Sequence, residues 1–287
     1  MHEDISLAHT DRVVVISGGV RGIGRALTDG FLRAGARVVA FHRGSSAESQ
    51  DAEATMRCDH ADALASGRLL LLCADVAAAR DRRRVLYRAV SEFGRLDVLV
   101  NNAGVCYRTD LTPARVQQQR FINATAPLRF SREAAEHIRR NLHASPDAPT
   151  RGSIIAISSY VTEWRSHESE YLRHYARSKR LLEQGMRALA LALRPDDINV
   201  NTIAVGVVYA GMGLATIRRK EAALHAGALP VTKFATVDCV VFEALHLTHP
   251  RSHYKTGRVE VLDGGWNLGE SPGASESTDR GAPRERR

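Results

Sequence analysis

Tyr175 and Lys179 stand four residues apart in Tyr175-Ala176-Arg177-Ser178-Lys179, so a helix here stacks a phenol and an ammonium one turn apart on one face. A free phenol titrates near pH ~10, and a neighbouring cation favours the phenolate, so the pair reads as a proton-transfer device working closer to neutrality. Taken alone, the same spacing also describes a solvated surface pair. A second group of residues suits phosphate. Ser17-Gly18-Gly19-Val20-Arg21-Gly22-Ile23-Gly24 follows an apolar run and leads into a helical pattern over 25–32. Glycines let the backbone approach a pyrophosphate, and a helix N-terminus offers free N–H groups and the positive end of its dipole. Strand, Gly-x-x-x-Gly-x-Gly and helix together are the context in which such a loop binds a dinucleotide.

The elements that must position these groups alternate along the chain. Short apolar, mostly β-branched runs at 12–17, 37–41, 69–73, 98–100, 153–157, 200–204 and 259–262 are separated by helix-length segments. The pattern predicts an α/β fold, a seven-stranded parallel sheet doubly wound with helices on both faces, in three layers. Thr112 is placed to cap the helix after the fourth strand, with Pro113 at its first position. The Pro/Ser/Asp-containing stretch 143–151 reads as a loop. Residues 1–10 read as an N-terminal arm, 11–269 as one domain and 270–287 as a disordered tail with almost nothing apolar to bury.

Composition narrows the function classes. The 287 residues are 44% hydrophobic, enough for an ordinary core. No run of about 18 apolar residues is present, which argues against a helical membrane span. The start, Met1-His2-Glu3-Asp4-Ile5-Ser6, lacks a secretory signal's basic and apolar stretches, so a cytoplasmic protein is expected. Cys58, Cys73, Cys106 and Cys239 are far apart, with no metal-ligand spacing, and are expected to be buried free thiols. The net charge of +8 is spread along the chain, and the dense run 80–88 reads as a solvated helix face rather than a nucleic-acid site. The surplus still favours anionic ligands.

The glycine loop, with Asn101-Asn102-Ala103-Gly104, Ser158-Ser159 and the Tyr175/Lys179 pair in that order, resembles the short-chain dehydrogenase/reductase family. The likeness is to its single-domain Rossmann branch and its 3-oxoacyl reductase-like ketoreductases, and it runs over about 12–268. Ser17 replaces the threonine common in that loop. The resemblance implies that Asp75, beside Val76, holds an adenine ring, the other use of such an aspartate being a helix N-cap. It implies that Asn102, Ala103 and Gly104 line the cofactor cleft. Relatives that prefer NAD usually end the second strand with an acidic residue. Here His42 and Arg43 stand there, and Arg21 adds a second cation, so NADP(H) is the expected cofactor.

By the same resemblance Ser159 polarises the substrate oxygen, Tyr175 exchanges its proton, and Lys179 holds the nicotinamide ribose and lowers the phenol's pKa. Ser158 is structural. Asn123 interrupts the preceding helix and holds a water that links the lysine to solvent. Tyr171 shares the helix face of Tyr175 and is expected near the helix start or at the substrate entrance.

The chain also departs from the family. After the sixth strand it reads Val205-Gly206-Val207-Val208-Tyr209-Ala210-Gly211-Met212, without the usual proline and without the threonine that bonds the carboxamide. Gly206 and Val208 are still expected to touch the cofactor, and the lost hydrogen bond is worth about 0.5–1.5 kcal/mol. The Ser159-to-Tyr175 segment is longer than usual. It offers Trp164 and Arg165, with Met212 opposite, as substrate-pocket residues; Arg165 with the basic segment 212–229 hints at an anionic substrate, while a solvated helix face better explains that segment's charges.

The expected activity is NADP(H)-dependent interconversion of a ketone and a secondary alcohol, on a small-molecule substrate, by a homotetramer or homodimer. Two alternatives stay open. One is the same fold and cofactor used for imine or enone reduction or a redox-neutral step. The other is a non-enzymatic cofactor-binding regulator.

Overall fold

The computed structural model describes residues 7–142, 150–163, 169–225, 229 and 231–268. The chain runs β1 (Val13–Ser17), α1 (Gly22–Arg33), β2 (Arg37–His42), α2 (Ala47–Asp59), α3 (Ala61–Ala65), β3 (Leu69–Cys73), α4 (Ala79–Phe93) and β4 (Val98–Asn101). It continues α5 (Pro113–Arg120), a π-helical turn (Phe121–Thr125), α6 (Ala126–Ile138), β5 (Gly152–Ser159), α7 (Glu170–Leu193) and β6 (Ile198–Val205). The last elements are α8 (Met212–His225), α9 (Val237–Thr248) and β7 (Val259–Leu262). All seven strands are parallel, in the order β3-β2-β1-β4-β5-β6-β7.

The continuous apolar runs are explained by burial on both faces of the sheet. Val13 and Val15 of β1 point into the layer formed with α4, α6 and α7, whereas Val14 and Ile16 pack toward α1 and α9. All four are fully buried, and each such side chain contributes about 1.5–3 kcal/mol relative to exposure. Chain order reverses at β1, whose neighbours β2 and β4 leave in opposite directions, so a crevice opens beyond the carboxyl ends of the strands.

Four local readings are corrected. The second, fourth, fifth and sixth strands run one to two residues past the expected stretches, to His42, Asn101, Ser159 and Val205, because these buried ends still pair in the ladder. Thr112 does hold the N-cap position before Pro113, but its hydroxyl caps nothing. The cysteines are free but not buried: Cys58 and Cys73 are exposed, and Cys106 and Cys239 are half-buried. Cys73 ends the edge strand β3, where no further strand covers it.

The fourth correction concerns the arginine run on α4. Arg82 faces inward and is 2% exposed. Its guanidinium forms a two-pronged pair with Glu133 of α6 at 3.0 and 2.9 Å. It also donates to the carbonyls of Val76 and Ala77, so it braces the turn after β3. Loop residues 143–149 and the tail from 269 lie outside the described residues.

Candidate active site

The phosphate cradle is built at the β1–α1 turn. Gly18 and Gly22 have φ of 66° and 55°, the left-handed region that other residues enter at a cost. A Cβ on Gly24 would come within 2.0 Å of Gly18 O, so helix and turn close only around a glycine. Arg21 occupies the N-cap of α1 without a side-chain capping bond, and no acidic residue stands in the first turn. That helix end therefore keeps unpaired N–H groups and its positive dipole directed at the crevice. Ser17 sits behind the loop rather than in the cleft. Its Oγ accepts from Asn102 N and Ala103 N, both at 3.0 Å, while Asn102 Nδ2 donates to Ser17 O and Gly18 O. β4 and the glycine loop are thereby locked together.

One cleft of about 1750 Å³ joins this cradle to the tyrosine and lysine. Of the residues singled out in the sequence, it brings together Gly18, Arg21, Gly22, Ile23, Gly24, His42, Arg43, Asp75 and Val76. It also takes in Asn102, Ala103, Gly104, Ser159, Tyr175, Lys179, Gly206, Val208 and Met212. Ser17 and Asn123 lie behind the wall. Trp164 and Arg165 lie outside the described residues.

At the reaction end, Ser159 occupies the last position of β5, paired with Val205, and its side chain hydrogen-bonds the Tyr175 phenol. Tyr171, Tyr175 and Lys179 project from one face of α7, and Tyr171 lines the cleft from the first turn. The Lys179 ammonium donates to Ile157 O at 2.8 Å and lies 5.9 Å from the centre of the Tyr175 ring. Ser158 Oγ donates to Glu183, one turn beyond Lys179 on the same helix, consistent with a structural part for Ser158.

Burial sets the electrostatics here. It pushes Lys179 down to about 8, and the nearby Glu183 opposes that shift. It also pushes the Tyr175 phenol above its ordinary value, so burial outweighs any lowering by Lys179. The cause is desolvation by the surrounding protein, which costs a phenolate more hydration than the hydrogen bond from Ser159 restores. Burial likewise raises the Glu183 carboxyl, held back by hydrogen bonds from Ser158 and Thr162 and by Lys179.

Asn123 stands at the expected interruption of the helix, and its side chain is held by protein partners. It sits in the π-helical turn, fully buried, so the interruption of the helix is present. Both its amide hydrogens are used, however: Nδ2 donates to Val105 O at 2.8 Å and Ser178 Oγ at 3.0 Å. Ser178 Oγ in turn donates to Tyr175 O. The side chain thus ties the loop after β4 to the catalytic turn of α7, and a water can meet only its Oδ1 or its main chain.

On the phosphate side, Arg43 Nε donates to Ser45 Oγ at 2.7 Å, and Arg21 pairs with Glu48 at 3.2 Å. His42 is buried, with Nε2 held by Glu53 at 2.6 Å and Nδ1 without a partner. Asp75 is not the N-cap of α4, which is Ala78. Its Oδ1 accepts from Ala77 N, and Asp81 reaches back to Asp75 N.

Sequence reasoning missed Glu183, Cys106, Arg108 and Trp266. The last three line the cleft, as does Lys220 of the basic 212–229 wall, and Cys106 is raised by burial while Arg108 and Lys179 act against that shift. Glu183 carried a usable signal, its i+4 spacing from Lys179.

The family described as Enoyl-(Acyl carrier protein) reductase matches residues 18–267. The rhamnolipids biosynthesis 3-oxoacyl-[acyl-carrier-protein] reductase of Pseudomonas aeruginosa is 33% identical over 275 residues, 93% of this chain and 100% of that protein. The chain belongs to the short-chain dehydrogenase/reductase family. Among other members, L-rhamnose-1-dehydrogenase of Scheffersomyces stipitis is 29% identical over 259 residues, 88% of this chain and 95% of that one. The solved Pseudomonas aeruginosa RhlG/NADP active-site complex superposes with a TM-score of 0.78 at 28% identity, covering 93% of this chain and 100% of that one. Membership makes the protein an oxidoreductase of Rossmann type. Among the described residues no helix is long and apolar enough to cross a membrane.

Proposed function

We propose that this family member is an NADP(H)-dependent carbonyl reductase that interconverts a ketone and a secondary alcohol, with Tyr175 as the acid/base. One observation carries the reading: Ser159, Tyr175 and Lys179 meet at one end of a cleft whose other end is an uncapped helix N-terminus flanked by Arg21 and Arg43. The residues present fit the cofactor. Gly18, Gly22 and Gly24 let the β1–α1 turn close tightly on the helix end, and His42 Nδ1 is a buried polar atom awaiting a partner. No carboxylate ends β2, where one would repel a 2′-phosphate. The NADP complex of a structural neighbour agrees with this. Gly18, Gly22, Ile23 and Gly24 would take the pyrophosphate, Arg21, His42 and Arg43 the phosphorylated ribose, Asp75 and Val76 the adenine, and Asn102–Gly104, Gly206 and Val208 the remaining length. When bound, the nicotinamide supplies or accepts the hydride.

The chain's own groups handle the oxygen and the proton. Ser159 donates to the carbonyl oxygen as charge builds on it. Tyr175 then supplies the proton, and its raised pKa keeps that proton in place throughout the neutral range, ready for the reductive step. Lys179 brings its cation within reach of the phenol and of ribose hydroxyls, and Asn123 fixes the turn that carries both. The residues 11–269 act as one domain, in the cytoplasm, within a homodimer or homotetramer. Phe242, Tyr254 and Leu268 are 62%, 97% and 91% exposed and offer apolar area for such contacts.

The test is a thermal-shift titration with NADPH and NADH, followed by NADPH oxidation across a ketone panel. Preferential stabilisation by NADPH and alcohol formation are expected; no shift with either cofactor overturns the reading. A second reading, reduction of an enone C=C bond, is supported by the description of the matched family. A saturated ketone as product, in place of an alcohol, would establish it.

A further inference from the structure

Arg108 stands in the loop after β4, four residues beyond Gly104, and none of the roles above uses it. Its guanidinium lines the cleft. Nη2 donates to Thr216 Oγ1 of α8 at 3.3 Å, and Cζ lies 5.9 Å from the centre of the Tyr171 ring on α7. Three separate elements therefore hold one cation in place. The chain's other structured arginines commonly face acids, as Arg25, Arg57, Arg82, Arg95, Arg115 and Arg139 do. Among the described residues Arg108 has no carboxylate partner. The bond to Thr216 uses one of its five donors and leaves a planar fork in the cleft.

Its position ties it to the reacting groups. Arg108 lines the same cleft as Tyr175, and its ring partner Tyr171 stands one turn before Tyr175 on α7. A second cation, Lys220, lines the same half of the cleft from α8, with Nζ 5.5 Å from the Trp266 ring. The acidic residue lining that half is Glu163, which is exposed. A half-buried guanidinium with open donors is satisfied best by a charge-assisted, two-pronged bond to an oxyanion.

We infer that Arg108 is the specificity-determining residue of the substrate half. It binds an oxyanion, carboxylate or phosphate, carried by the ketone itself, and Lys220 adds to the attracting field. This rests on the ketoreductase reading above. Tyr171 and Thr216 hold the fork in plane, and the anionic end of the substrate is anchored so that its carbonyl reaches Ser159 and Tyr175.

The test uses the full chain with NADPH and three matched ketones: a keto carboxylate, its methyl ester and the corresponding keto phosphate. For the wild type, kcat/KM for one or both anionic ketones should exceed that for the ester by about ten- to a hundredfold. In Arg108→Gln that ratio should collapse toward one through a rise in KM for the anionic ketones, and Arg108→Lys should keep part of it. The ratio between carboxylate and phosphate identifies the anion. A wild type that treats ester and acid alike, or an Arg108→Gln variant that keeps the ratio, overturns the inference. Quenching of tryptophan fluorescence by each ketone, without cofactor, gives a second readout through Trp266. If no ketone is reduced, the ketoreductase reading fails, and Arg108-dependent binding of the anionic compounds still decides this inference: equal binding by wild type and Arg108→Gln refutes it.

Discussion

The reaction floor and the phosphate-side rim of the same cleft carry charge in opposite ways. At the floor, Lys179 is 4% exposed and Ser159 8% exposed, Ser158 and Glu183 are buried with them, and each meets a protein partner. Removal from water moves Lys179 down to about 8 and Tyr175 up. At the rim, the Arg21 and Glu48 side chains are 59% and 84% exposed, and the Arg43 side chain donates to a neighbouring serine. Exposed pairs of this kind are worth about 0.2–1 kcal/mol. The floor is thus preorganised, with its polar groups already aimed. The rim holds its cations loosely, so a phosphate can displace Glu48 or Ser45 at little cost.

This contrast orders the expected effects. Ser159→Ala removes a buried donor aimed at developing charge, and should lower kcat for ketone reduction by about 10²–10³, measured by NADPH oxidation at saturating substrate. Arg43→Ala removes an exposed cation, and should raise the apparent Kd for NADPH about tenfold while NADH changes little, measured by thermal shift or fluorescence. Equal losses for both cofactors would remove the phosphate assignment, and a loss larger than that from Ser159→Ala would invert the comparison. The smallest effect concerns pH. Because the phenol stays protonated, activity in the reductive direction should fall on the alkaline side as Lys179 loses its proton near pH 8. Glu183 raises that pKa, so Glu183→Gln should move the alkaline limb to lower pH. A limb that stays in place or moves up would show that Lys179 does not set it.

The sequence made the architecture and the candidate site legible, because glycines, apolar runs and the four-residue spacing are local signals. Seven strands stand where the apolar, mostly β-branched runs lie, and Ser159, Tyr175 and Lys179 meet as their motifs require. Properties set by tertiary burial were not legible. Arg82 looked solvated until Glu133, 51 residues away, came to face it. The phenol shift takes its sign from desolvation by the packed surroundings, which the i+4 lysine does not reveal. Asn123 was recognisable by its place between motifs, yet its hydrogen bonds to Val105 and Ser178 depend on how the π-helical turn packs on α7. Arg108 carried no motif, and only the approach of Tyr171 and Thr216 from distant segments distinguishes it.

The most direct measurement pairs two readouts on Tyr175→Phe. The variant removes one hydroxyl from the floor and leaves the phosphate cradle untouched. NADPH binding should match the wild type, while ketone-dependent NADPH oxidation should fall by about 10²–10⁴ across the pH range. Turnover that survives in the variant would contradict the assignment of Tyr175 as the proton donor.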